Sequence, residues 1–183
     1  MSESLYLEDL KAGAIWTSFA RTVTESDIVG FAGMTGDYDP LHVDHEHAAQ
    51  TPYGKPIAHG LLGLSFMAGL SSTCPRVRTL ALVRIEDWQF HRPVYTGDTL
   101  HVVTQVEKIT PRGRRSGEVL WYRRLLNQRS ECVQSGRIVT LVSSHSFLPR
   151  TQTHAPHIKL GKVSKLGKVS AESKTTTADA QAD

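Results

Sequence analysis

The sequence has few cysteines and no pattern of them that could form a framework. Cys74 and Cys132 are the only two thiols in 183 residues, and neither belongs to a C-x-x-C pair. This scarcity excludes a disulfide-rich scaffold and a cysteine-ligated metal site, and it is typical of proteins from a reducing compartment. We therefore expect a cytoplasmic protein with free thiols.

Strong net charge and long apolar runs are lacking too. The formal net charge is +3, which is too small to indicate a nucleic-acid partner, and no nucleic-acid-binding motif is present. The longest nearly apolar run, residues 60–70, is too short to cross a bilayer. Residues 1–13 have neither the basic nor the apolar segment of a signal peptide. We expect no nucleic-acid partner and no membrane association.

Composition changes once along the chain, near Pro149. Before it, the chain has enough apolar residues for one core. After it, K-L-G-K-V-S occurs at 159–164 and again at 165–170, followed by small and polar residues only. We predict a single domain over residues 1–147 and a mobile basic and polar tail over residues 148–183. An acidic partner could bind this tail, although a solvated extension explains it more simply.

Apolar periodicity predicts strands around one apolar helix. Residues 14–23 alternate like a strand, and Thr24 is placed to cap a short helix that follows. Residues 59–73 are apolar around nearly the whole helical circumference, which predicts a helix buried on most sides. Four longer strands follow between Thr79 and Ser143, the first with a bulge near Glu86. The pattern indicates a sheet wrapped around one helix.

The most informative stretch runs from Asp37 to Gly60. D-Y-D-P-L-H at 37–42 places two carboxylates and an imidazole within six residues, and P-I-A-H-G at 56–60 opens the apolar helix. Asp37 and His42 can act as an acid/base pair. The backbone N–H of Gly60, at a helix start, can polarise a carbonyl oxygen. These residue types together predict addition of water to an acyl thioester, or its removal.

The spacing of His42, His45 and His47 raises the alternative of a metal site. The segment offers no long helix or strand to aim three imidazoles at one ion, only a short helix that Asp44 could cap. We therefore expect a solvated histidine face here and no bound metal.

These motifs together resemble the MaoC-like family, which includes the (R)-specific enoyl-CoA hydratases. The family's first motif is present as D-Y-D-P-L-H, A-A at 48–49 and P-I-A-H-G, and its second as P-V-Y-T-G-D-T-L at 93–100. The resemblance covers residues 10–147. It implies an α+β hot-dog fold, an antiparallel β-sheet wrapped around one long central α-helix. It also implies a homodimer, because each sheet leaves an open edge.

The resemblance also implies roles for single residues. Asp37 and His42 match the family's catalytic dyad, and Gly60 matches the residue whose amide holds the thioester oxygen. Asp39 stands where many members have Asn, and the additional carboxylate could share the role of base.

Three residues beside this dyad are expected to bind substrate, namely Asp39, Tyr53 and His59. Tyr53 and His59 also have simpler structural explanations. Tyr53 could be a turn-packing aromatic, and His59 could be a packing and hydrogen-bonding residue at the helix start.

The sequence therefore predicts a lyase that hydrates a 2-enoyl thioester to a 3-hydroxyacyl thioester, or dehydrates the product. Coenzyme A or an acyl-carrier protein would carry the acyl group, and no separate cofactor is expected. A hot-dog thioesterase and a non-catalytic acyl-thioester-binding protein are the alternatives. Arg112, Arg114 and Arg115 could contact the phosphates of coenzyme A, or form a solvated hairpin tip.

Overall fold

The computed structural model describes residues 4–146 of the chain. This part contains four α-helices and six strands, and the predicted tail over residues 148–183 lies outside it. The helices are α1 Glu25–Thr35, α2 Pro40–Val43, α3 His45–Ala49 and α4 Gly60–Ser71. The strands are β1 Ile15–Thr17, β2 Arg21–Thr22, β3 Thr79–Phe90, β4 Thr99–Pro111, β5 Ser116–Leu126 and β6 Cys132–Ser143.

The strands form one antiparallel sheet. Its order is β1-β4-β5-β6-β3, with β2 pairing to the start of β4. Leu100, Val102 and Val106 of β4 are buried, whereas His101, Gln105 and Glu107 between them are partly exposed. The predicted half-buried strand is therefore confirmed. Strand β3 lies at one edge of the sheet, and most of its residues are exposed.

Helix α4 packs across one face of this sheet. Its buried side chains, Leu62, Phe66, Met67 and Leu70, join sheet residues such as Val102 in one core. The predicted hot-dog architecture is confirmed by this arrangement of sheet and helix.

The prediction that α4 is buried on most sides is wrong. Leu61, Ser65, Ala68 and Gly69 are exposed, because the sheet covers only one stripe of the helix. Among residues 4–146, no helix has the length and apolar character needed to span a membrane.

The prediction of one strand over residues 14–23 is also wrong, because the structure has the two short strands β1 and β2. At Ser18 the side-chain Oγ accepts the N–H of Val102 at 2.9 Å. A side-chain oxygen thus replaces a ladder carbonyl, and the regular pairing is interrupted there. The predicted bulge in β3 is confirmed, since the register with β6 shifts between Glu86 and Gln89 and Asp87 has φ 50°.

Candidate active site

Two short helices organise the segment between Asp37 and Gly60. Helix α3 begins as predicted, because Asp44 Oδ1 accepts the N–H groups of Glu46 and His47 at 2.9 and 3.0 Å. Helix α2 was not predicted from the sequence. Its start is nevertheless encoded, since Asp39 Oδ1 accepts the N–H of Leu41 at 2.9 Å and Pro40 occupies the first helical turn.

Helix α2 presents His42. Its Nδ1 lies 2.7 Å from the carbonyl oxygen of Ile57. Because a carbonyl oxygen can only accept, Nδ1 carries the proton and donates it to this bond. In the neutral imidazole, the other ring nitrogen, Nε2, then has the lone pair with which the ring can act as a base.

His59 lies against His42 at the N-cap position of α4, where its side chain makes no capping hydrogen bond. The two rings stack with their centroids 3.8 Å apart, and Phe31 of α1 contacts the His59 ring at a centroid distance of 5.1 Å. His59 Nε2 donates to the backbone carbonyl of Asp37 at 2.9 Å. The side chain is buried, and its Nδ1 has no hydrogen-bond partner among the described residues.

The Asp37 carboxylate completes this cluster. One of its oxygens and one ring nitrogen from each of His42 and His59 all lie within 4.8 Å of one another. Asp37 itself is exposed to solvent. The structure thus brings the Asp37 carboxylate within 4.8 Å of a His42 ring nitrogen.

The same three side chains could hold a metal ion as far as their spacing is concerned. They differ from the trio His42, His45 and His47 considered from the sequence. His45 instead bonds Glu25 at 3.0 Å, and both side chains of that pair are exposed.

A cavity of about 280 Å³ adjoins the cluster. His42, Tyr53 and Gly60 line it, together with Phe90 and Arg92 from the end of β3 and the turn after it. Tyr53 therefore lines the cavity beside His42, and its role in binding substrate stays a prediction. Asp39 and His59 do not line this cavity, because Asp39 caps α2 and His59 lies buried against the His42 ring. Asp37 does not line it either, and its carboxylate lies beside the cavity next to His42.

Gly60 contributes the backbone at the start of α4. The first N–H groups of a helix have no intrahelical partner, and the helix dipole makes them a suitable site for a negatively charged oxygen. A Cβ at this position would lie 3.0 Å from Cε1 of Phe90. Glycine therefore keeps the amide accessible beside that aromatic ring.

Three residues of the site came only from the structure, namely Phe90, Arg92 and Gln134. The side chain of Gln134 in β6 donates from Nε2 to the carbonyl of Gly60 at 2.9 Å. These residues lie 30 or more positions from Gly60, and no local sequence pattern could link them to it.

The family model described as MaoC like domain matches residues 13–122, which include the whole Asp37–Gly60 stretch. The chain belongs to the MaoC-like family.

Named MaoC-like relatives extend the comparison. A 3-hydroxybutyryl-CoA dehydratase of Methylorubrum extorquens is 37% identical over 115 residues, covering 61% of this chain and 70% of the relative. An (R)-specific enoyl-CoA hydratase of Rhodospirillum rubrum is 30% identical over 135 residues, covering 73% and 85%. The crystal structure of a MaoC-like dehydratase from Rhodospirillum rubrum superposes with a TM-score of 0.67 at 31% identity, covering 79% of this chain and all of the other.

Proposed function

We propose that this protein adds water to a 2-enoyl thioester, or removes it from a 3-hydroxyacyl thioester. One observation carries the proposal: an Asp37 carboxylate oxygen lies within 4.8 Å of a His42 ring nitrogen, and His42 lines the same cavity as Gly60. Relatives that are named as a dehydratase and as a hydratase support the same reaction class.

In the proposed hydration, the thioester carbonyl oxygen accepts a hydrogen bond from the Gly60 N–H. This polarises the C2=C3 double bond and makes C3 electrophilic. Asp37 and His42 hold one water molecule between them. His42 Nε2 takes a proton from this water as its oxygen bonds to C3, and the electron pair of the double bond moves toward the thioester oxygen.

The resulting enolate then collapses to product. The proton held on His42 returns to C2, so the elements of water are added across the double bond and the enzyme is restored. The bond from His42 Nδ1 to the Ile57 carbonyl stabilises the imidazolium that exists between the two steps. Dehydration follows the same steps in reverse.

His59 has a positioning role in this proposal. Its ring stacks on His42, and its Nε2 holds the backbone of Asp37. One buried side chain therefore fixes both members of the dyad, and preorganisation of this kind lowers the cost of reaching the transition state.

The proposal includes no resident metal or redox cofactor, because proton transfer and oxyanion stabilisation suffice for this reaction. Coenzyme A or a carrier protein is part of the substrate. We place the reaction in the cytoplasm, in keeping with the two free thiols.

We further propose that the protein works as a homodimer joined along β3. This edge strand exposes Leu80, Leu82, Val83, Ile85 and Phe90, each at 43% exposure or more. An open apolar edge of this kind is suited to pairing with a second copy. Phe90 also lines the cavity that contains Gly60, so a partner along β3 would help to enclose the substrate.

The decisive experiment is a hydration assay on crotonyl-CoA with Asp37→Asn and His42→Gln variants. Each should lower kcat by at least about 100-fold, since each removes a group that contacts the reacting water. Glu46→Gln and His47→Gln are the matched controls, because both are exposed residues of α3 outside the cluster, and both should retain wild-type rates.

Near-normal turnover in either dyad variant would refute the assigned mechanism. Release of free coenzyme A without loss of the double bond would indicate a thioesterase instead. Tight binding of enoyl-CoA with no reaction in the wild-type protein would indicate a non-catalytic binding protein.

A further inference from the structure

A second and larger cavity lies between α4 and the sheet. Its volume is about 440 Å³, and its walls come from the second half of α4, from β3 and from β5 and β6. Most of the lining is apolar, with Leu64, Met67, Leu82 and Ile138 among it. One charged side chain, Arg123 of β5, also lines the cavity.

The side chain of Arg123 lies on the face of the sheet that α4 covers. It alternates along β5 with the same phase as Trp121 and Leu125, which are buried at 2% and 0% exposure. Its guanidinium lies 5.7 Å from the centre of the Trp121 ring. Burial lowers the pKa of Arg123 to about 10.

No carboxylate in residues 4–146 pairs with this guanidinium. Its Nε is buried with no hydrogen-bond partner, and Nη1 lies 3.7 Å from the sulfur of Met67, a weak acceptor. Arg137, in contrast, makes a bidentate bond to Glu107 at 2.8 and 3.1 Å. Arg137 thus has a carboxylate partner within the sheet, whereas Arg123 has N–H donors without an acceptor among residues 4–146.

The residue opposite Arg123 on the neighbouring strand also has a buried polar atom without a hydrogen-bond partner. Thr104 of β4 stands opposite Arg123 in the β4–β5 register, is fully buried, and has no partner for its Oγ1. Burial of an unpaired charge is costly for folding, and a ligand that supplies the missing acceptor removes that cost.

The position of Arg123 suits the far end of an acyl chain. Met67, which its Nη1 contacts, is seven residues beyond Gly60 on α4, or about 10 Å along the helix axis. The two cavities border α4 one helical turn apart, since Gly60 lines the first and Leu64 lines the second. On the basis of the proposed function, we propose that the preferred substrate is a monothioester of an unsaturated dicarboxylic acid, whose free carboxylate pairs with Arg123.

The expected selectivity follows from the unpaired donors. A chain that ends in a carboxylate gives Arg123 the counter-ion that it lacks among residues 4–146, and hydrogen bonds between two charged groups are the stronger ones. A chain that ends in a methyl group leaves the guanidinium without a counter-ion.

Binding of unreactive, saturated thioesters tests the proposal without requiring turnover. Calorimetric titration should show adipoyl-CoA binding at least about 10-fold more tightly than hexanoyl-CoA, and Arg123→Met should abolish this preference. Arg124→Met is the matched control, because Arg124 is the next residue on β5 and is exposed. It should leave the preference unchanged.

Steady-state kinetics give an independent readout. The ratio of kcat/KM for trans-2-hexenedioyl-CoA to that for trans-2-hexenoyl-CoA should exceed 1 in the wild-type protein and fall at least about 10-fold in Arg123→Met, and Arg123→Lys should recover part of it.

Equal or weaker binding of adipoyl-CoA by the wild-type protein would overturn the proposal, whichever variants fold. A preference for adipoyl-CoA without hydration of any enoyl-CoA would refute the proposed reaction and leave the carboxylate site standing. Hydration with no preference between the two acyl ends would refute only the carboxylate site.

Discussion

Gln134 is held in place by bonds at both ends of its side-chain amide. Its Oε1 accepts from the Trp88 indole at 3.2 Å, and its Nε2 donates to the Gly60 carbonyl at 2.9 Å. The side chain lies directly against α4, since a Cβ at Gly63 would be 2.2 Å from Nε2. Gly63 is therefore the residue that lets the sheet hold the start of α4.

Gly63→Ala should destabilise the protein by about 1–3 kcal/mol, because Gln134 must move and lose its bonds. Urea unfolding measures this change. Gly69→Ala on the same helix is the matched control. It should be neutral or stabilising by up to about 1 kcal/mol, because no atom lies within 4 Å of the added methyl group. The double variant Gly63→Ala/Gln134→Ala should recover part of the stability lost in Gly63→Ala, and an additive loss would contradict the steric explanation.

The role of His59 can be separated from that of His42 by kinetics. His59→Gln should lower kcat by about 10-fold or more through loss of the ring stack on His42, with KM for crotonyl-CoA changed less than kcat, because the Gln amide nitrogen can still donate to the Asp37 carbonyl. His59→Asn, whose amide nitrogen can reach only a closer acceptor, should be slower than His59→Gln. A large rise in KM alone would instead indicate direct contact with substrate.

Removal of metal ions tests the alternative use of the Asp37, His42 and His59 cluster. Dialysis against EDTA, followed by the crotonyl-CoA assay, should leave the rate unchanged, since the proposed steps use only these side chains and the Gly60 amide. A loss of activity that added Zn²⁺ or Mg²⁺ restores would show that the cluster binds a metal during catalysis.

At the scale of elements, the start of α1 is a well-defined capping box. Thr24 Oγ1 accepts the N–H of Asp27 at 3.2 Å, and Asp27 Oδ2 accepts from the Thr24 N–H at 2.9 Å. Arg21 of β2 adds an ion pair to the same carboxylate. Thr24→Ala should therefore destabilise the protein by about 1 kcal/mol in urea unfolding, with Thr22→Ala, outside the box, as a comparison.

Asp27 makes this contribution depend on pH. Burial alone would raise the pKa of its carboxyl, but the bonds from Thr24 and Arg21 outweigh it and lower the pKa below its usual value. The stabilisation is thus complete above the unfolded pKa and is lost as the pH falls through the folded pKa. Urea unfolding between pH 7 and about pH 3 should show a shallower loss of stability in Asp27→Asn than in wild type. The exposed Glu46→Gln should follow the wild-type curve.

The elements found from the sequence are those whose signals are local. Thr24 and Asp44 stand directly before the helices they cap, and the alternation in β4 can be read from neighbouring residues. Helix α2 was not predicted, because its four residues are too few to show the apolar periodicity of a helix. The break after β1 depends on the bond between Ser18 and Val102, which no short window of sequence contains.

The same limit applies to the site. The D-Y-D-P-L-H and H-G motifs are contiguous, so Asp37, His42 and Gly60 could be chosen from the sequence. Gln134 and Arg123 reach their positions through sheet pairing and depend on the register of β5 with β6. The placement of Arg123 inside the sheet follows from the phase of β5, but its lack of a partner is a property of the folded molecule.

For the whole molecule, the proposed dimer predicts a response to charge on β3. Val83→Lys should shift the protein toward a monomer in sedimentation velocity, because it places a charge in the apolar edge. Met34→Lys is the control, since Met34 is 74% exposed on α1, and it should sediment like the wild type. Crotonyl-CoA hydration should fall together with the dimer fraction in Val83→Lys, because the second copy would no longer enclose the cavity that Phe90 lines. A monomeric wild-type protein would contradict the proposed assembly.

The bulge in β3 has a further consequence for the solubility of any separated copy. A long, regular, apolar edge is a template on which identical strands can stack into fibrils. Here the register breaks between Glu86 and Gln89, and the charged Arg84 and Glu86 precede the break. We therefore expect the irregularity that sets the phase of Phe90 beside Gly60 also to keep amyloid-type growth from running the length of the strand.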